Sequence, residues 1–147
     1  MPAEYSFIQS QIVAEDANVA FISGDRACHK GFIEHRSGSG IFTIKGANNG
    51  CRALYRVTFD GNIAVAPADD GGVLGPISIA LTENGEPLGN ATAIISAPGA
   101  IGDLFNVSIT TFVPLPCGCC KTVAVRNVSD GTAIEVTNAN IIFDRVA

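Results

Sequence analysis

The chain has 147 residues, about one domain's worth, and 47% of them are hydrophobic, so one sizeable core is within reach. A charged fraction of 16% beside that apolar content excludes a disordered chain, and a net charge of −5 with nine Lys and Arg argues against a nucleic-acid surface, which needs cations to displace counterions. Ile and Val together number 28, against 6 Leu and 1 Met, and Thr adds 9. Such β-branched side chains are stiff at χ1 and suit a pleated surface, which excludes a Leu-rich helical bundle.

Taken in chain order, the pattern predicts short strands separated by Gly, Asn, Asp and Pro. The first dozen residues stand apart: Tyr5 to Ile12 has strand character but precedes the domain's expected first strand. Residues 1–12 are read as an N-terminal arm and 13–147 as the domain. Tyr5, Phe7, Ile8 and Ile12 are the residues by which the arm would add to a neighbour's sheet edge. The alternative is an extra edge strand of the same domain. Strands are then expected over 17–23, 32–36 and 41–45, the last two joined through Ser37-Gly38-Ser39-Gly40. Residues 53–59 alternate Tyr55, Val57 and Phe59 with Leu54, Arg56 and Thr58, the period of a half-buried strand. Asp60-Gly61-Asn62 reads as a turn, 62–66 as a strand stopped by Pro67, and Asp69-Asp70-Gly71-Gly72 as a flexible loop.

Residues 77–82 and 91–96 are the next strands. Asn84-Gly85 between them is a favoured hairpin turn, because both residues tolerate positive φ. Residues 104–115, 121–128 and 134–146 complete the set. Strands at this spacing, with no linker and no repeat, predict an all-β fold: an antiparallel two-sheet jelly-roll sandwich of about 8–10 strands.

Candidate chemistry is sparse. The cysteines Cys28, Cys51, Cys117, Cys119 and Cys120 are many for a domain of this size, and odd in number. Cys117-Gly118-Cys119-Cys120 lacks the Cys-x₂₋₄-Cys spacing of a zinc site, and adjacent cysteines do not readily share one tetrahedral ion. The cluster is read as a cross-link between subunits, an intrachain disulfide or reduced buried thiols. Cys28 and Cys51 form a bridge if their Cα atoms come within about 7 Å.

His29 and His35 are the only histidines, and no Gly-x-Ser-x-Gly elbow accompanies them. No catalytic residue, metal ligand or cofactor is therefore assigned. Asp69-Asp70 alone is too small a ligand set for Ca²⁺ and reads as a solvated loop. Asn90, Asn106 and Asn127 each begin an Asn-x-Ser/Thr triplet, read as chance matches. Nothing in the first thirty residues has the basic and apolar regions of a secretion signal, and no apolar run is long enough to span a membrane.

Several stretches carry a family pattern: HKGFIEHRSGSGIFTIKG at 29–46, CRALYRVTFDGNIA at 51–64, GPISIAL at 75–81 with GEPL at 85–88, VPLPCGCC at 113–120 and VTNANII at 136–142. Together they resemble the TNF-like jelly-roll domains that cap collagen-like spore-surface proteins and related surface and phage proteins of Gram-positive anaerobes. The resemblance covers roughly residues 13–147 and includes no catalytic signature. It implies a non-enzymatic, trimer-forming jelly roll in an extracellular structure. The chain departs from collagen-like members in having no Gly-X-Y stalk.

The expected function is a structural subunit that assembles with itself, as a trimer or filament, into a fibre, spore-surface layer or virion decoration. A spore-coat or virion scaffold is its expected outside partner, with no nucleic acid and no membrane. The alternative is a trimeric adhesin or receptor-binding module for a host glycan or protein. The absence of Trp and the presence of only two Tyr weigh against a glycan platform.

Overall fold

The structure is a computed structural model that describes residues 2–23, 32–46, 52–116 and 120–147. Eleven strands lie among these residues: β1 (Pro2–Phe7), β2 (Gln11–Val13), β3 (Ile22–Ser23), β4 (Ile33–His35), β5 (Phe42–Lys45), β6 (Ala53–Val65), β7 (Ile77–Glu83), β8 (Glu86–Ile95), β9 (Phe105–Leu115), β10 (Cys120–Asn127) and β11 (Ile134–Arg145). A single 3₁₀ turn, Ala68–Asp70, follows β6. One sheet runs β3-β1-β11-β6-β9, with β2 also paired to β11; the other runs β4-β5-β10-β7-β8. All pairings are antiparallel. This is the two-sheet jelly roll the alternation predicts. The strand number exceeds ten because β2 and β3 are fragments of three and two residues.

The core lies between the sheets and is built by parity. On β6 every odd position from Tyr55 to Val65 points inward, and all are buried. On β11 the inward set begins even, with Ile134 and Val136, and ends odd, with Ala139, Ile141 and Phe143. The register shifts between Thr137 and Asn140, and Asn138 sits there at φ 57°. An extra residue in one strand restores the inward phase, which is what a β-bulge does. From the opposite sheet come Phe42, Ile44, Ile77, Ile79, Leu81, Val123 and Val125.

Three sequence expectations change, one of them at 69–72, where a 3₁₀ turn bonded to Pro67 and Ala133 stands in place of a flexible loop. Asp60-Gly61-Asn62 is not a turn: β6 runs on without a break, flanked on both sides by β11 and β9. Gly61 serves the packing instead, since a Cβ there would come within 3.0 Å of the Phe59 ring. The expected strand over 17–23 shrinks to β3. The residues before it join the second sheet by an isolated bridge from Asn18 to Arg126 and a bond from the Val19 amide to the Val125 carbonyl, 2.8 Å.

Residues 2–13 lie in this chain's own sheet. β1 pairs along its whole length with β11, and its other side meets β3. Tyr5 is 2% exposed, and its ring packs 4.9 Å from both Phe42 and His35. Phe7 is half-buried against the core, while Ile8 and Ile12 remain exposed.

At the far end, Asn127 is fully buried and closes the sandwich. Its amide donates to the carbonyls of Val13, Ala14 and Thr132, and its side-chain oxygen accepts from the Ser129 amide. Buried and saturated with bonds, it is a structural node rather than a glycan acceptor. Asn90 and Asn106 are exposed.

Candidate interaction surface

The residues singled out for chemistry do not converge on a cleft. Cys28, Cys51, Cys117, Cys119 and His29 lie outside the described residues. Cys120 is exposed at the start of β10, opposite Lys45. His35 stacks on Phe42, with ring centroids 4.3 Å apart, and its Nε2 meets the Ser39 carbonyl at 2.8 Å. It is a packing residue of the β4–β5 hairpin. Asp69 and Asp70 are exposed on the turn after β6. Among the described residues no three His, Cys, Asp or Glu side chains are grouped to hold a metal ion, and no helix is long and apolar enough to cross a membrane.

What the fold does build is a broad outer face on the six-stranded sheet, whose rows follow from the register. Arg56 lies between Phe112 on β9 and Asp144 on β11, and its guanidinium reaches the Asp144 carboxylate at 2.8 Å. Thr58 lies between Thr110 and Ile142, its hydroxyl 3.3 Å from that of Thr110. Asn62 donates to Asn138 at 3.3 Å and accepts from Asn106 at 3.2 Å. Asn140 donates to Glu4 at 3.3 Å. The polar groups are thus largely paired with one another, which lowers the cost of taking them out of water. The end of the face near the start of β6 is more apolar, with Leu54, Phe112, Pro114 and Ile142.

The free edge of this sheet is β9. It pairs only with β6 among the described strands. Its eleven residues, FNVSITTFVPL, include no charge. A long, uncharged edge strand is a template for association, and natural proteins usually blunt such edges with Lys, Pro, bulges or shortness. β9 carries one such device, Pro114 near its end, whereas the other edges are blunted more fully, and β4 has only three residues, Glu34 among them. β3 has two residues, and β8 opens with Glu86-Pro87 and breaks register against β7. On β9, Phe112 is 55% exposed, and Leu104 just before it is 57% exposed.

Sequence reasoning missed Phe112, although a signal exists. Inward positions on β9 are Val107, Ile109, Thr111, Val113 and Leu115, whereas outward ones are Asn106, Ser108, Thr110, Phe112 and Pro114. Residues 111 and 112 break the alternation in opposite senses: a hydroxyl faces the core and a phenyl ring faces solvent. Aromatic rings are enriched where protein surfaces meet, which makes Phe112 a candidate contact residue.

No family model matches this chain, and no curated relative does. Solved structures do resemble it. Murine APRIL at pH 5.0 is 11% identical over 99% of this chain and 100% of that one, with a TM-score of 0.66. Murine APRIL at pH 8.5 is 10% identical over the same shares, at 0.61. The globular domain of zebrafish complement 1qA protein is 12% identical over 99% of this chain and 98% of that one, at 0.54. At such identities the likeness is one of fold, and the fold is the TNF-like jelly roll.

Proposed function

We propose that this chain is a non-enzymatic extracellular module that works by self-association. Three copies form a ring in which the β9 edge of one packs against the outer face of the six-stranded sheet of the next. The observation that carries the reading is β9 itself: eleven residues without a charge, one side unpaired among the described strands, and Phe112 projecting from it. Edge against face is a heterologous contact, which forms a closed ring when its rotation closes. The TNF-like fold and the resemblance of the sequence to trimeric surface caps support closure at three. The same resemblance supports an extracellular structural assembly, and a fibre, spore surface or virion is the setting proposed for the ring. Exposed Cys120, beside Cys117 and Cys119 in sequence, is the candidate for covalent cross-links between copies.

Hydrogen exchange tests the contact surface. Amides of residues 105–113 are expected to exchange more slowly as protein concentration rises, because association covers them. Those of β7, central in the other sheet, are expected to be insensitive to concentration. Concentration-independent exchange throughout β9 contradicts the proposed contact.

A further inference from the structure

The turn after β6 carries an exposed, rigid pair of apolar side chains that the ring contact does not explain. Val73 is 59% exposed and Leu74 is 50% exposed. They follow Asp69 and Asp70, both exposed and, among the described residues, without an ion-pair partner. The loop is firmly tied down. Gly72 donates to the Pro67 carbonyl at 3.1 Å, Val73 donates to the Thr132 hydroxyl at 2.8 Å, and the Ala133 amide donates to the Gly71 carbonyl at 3.1 Å. An apolar tip held in place before any partner arrives loses little entropy on binding.

At the opposite end of the sandwich lies a groove lined by Arg52, Pro114, Leu115, Pro116 and Lys121. It offers the converse chemistry. The Arg52 guanidinium is exposed and has no ion-pair partner among the described residues. Lys121 adds a second cation, held by Glu83 at 2.7 Å, and the two exposed prolines supply an apolar floor. Loop and groove are separated by β6: Arg52 immediately precedes that strand and the loop follows it. Thirteen residues of strand span about 43 Å. The two features therefore cannot meet within one molecule.

We propose that the 68–74 loop of one copy docks into the Arg52–Lys121 groove of a second copy, joining copies head to tail along the strand direction. Asp69 and Asp70 face Arg52 and Lys121, while Val73 and Leu74 rest on Pro114 and Pro116. The contact is heterologous and, with loop and groove at opposite ends, it propagates into a linear chain. The inference rests on the self-associating reading above and adds a second contact to it, one that stacks rings into fibres.

The test is sedimentation velocity and negative-stain microscopy of the full chain at low ionic strength, where charge steering is least screened. Wild-type protein is expected to form species that are multiples of the ring and shorten as salt rises. Reversing either side, by Asp69→Lys with Asp70→Lys or by Arg52→Glu, is expected to weaken end-to-end association by about tenfold or more and leave single rings. Mixing the two reversed proteins restores alternating chains, because each loop then meets a groove of opposite sign. The inference is overturned if the reversed proteins still form chains, if the mixture does not regain them, or if wild-type protein never exceeds one ring. In that last case the ring reading stands. Single-file chains of monomers sensitive to the same reversals uphold the end contact and refute the ring.

Discussion

Gly72→Ala is expected to lower the melting temperature by roughly 12–16 °C, equivalent to about 4 kcal/mol in a domain of this length. The cause is a collision with backbone. A Cβ at position 72 would lie 1.5 Å from the Ala66 carbonyl oxygen and 3.1 Å from that of Pro67. No side-chain rotation relieves this. The turn after β6 must move, which strains the bonds that tie it to Pro67, Thr132 and Ala133. A loss of about 4 kcal/mol is a large fraction of the 5–15 kcal/mol that holds a typical domain folded. Gly75→Ala is the control. Nothing lies within 4 Å of a Cβ there, so Ala is expected to be neutral or to stabilise by about 0.4–1 kcal/mol, by narrowing the unfolded ensemble. Thermal unfolding of both variants checks the pair. Equal melting temperatures would remove the claim that this loop is rigid, and with it the preorganised tip.

Phe112→Glu is expected to abolish the ring while leaving the protomer's unfolding curve within about 0.5 kcal/mol of wild type, as befits an exposed position. The two readouts separate because Phe112 points away from the core, whereas its neighbours Thr111 and Val113 point into it. Glu at the centre of an apolar contact must be desolvated without a partner, at about 3 kcal/mol per interface. A ring of three contains that contact three times, so the overall association constant is expected to fall by roughly 10⁶. Size-exclusion chromatography with light scattering reads the loss.

The strands themselves were legible because they depend on local alternation. β6, β7, β9, β10 and β11 are all visible in the runs of Ile, Val and Phe, and the Asn84-Gly85 hairpin follows from turn chemistry, with φ of 52° and 84°. Gly61 was misleading because Asp-Gly-Asn is turn-like in isolation. The unbroken odd parity from Tyr55 to Val65 was the better guide, and only the pairing of β6 on both sides makes it decisive. The parity flip on β11 was visible as Ile134 and Val136 followed by Ile141 and Phe143, but its cause, a bulge at Asn138, requires β6 beside it.

The contact surfaces were less legible, since edge status is a property of sheet order. β9 is an edge because β6, some fifty residues earlier in the chain, takes one side of it and no described strand takes the other. Tyr5 shows the same limit. Its sequence context allows either an arm added to a neighbour or an extra edge strand of the same domain, and only the long-range pairing with β11 shows Tyr5 buried in this chain's core. Val73 and Leu74 look like ordinary apolar residues until Gly72 and Thr132 fix them at the surface.

Sedimentation equilibrium of the purified wild-type chain, with and without reductant and over a wide concentration range, bears most directly on the claim that uncharged β9 is a seam between copies. The account predicts a smallest stable species of three times 15.2 kDa, persisting in reductant because packing rather than disulfides closes the ring. A single 15.2 kDa species at every concentration would contradict it.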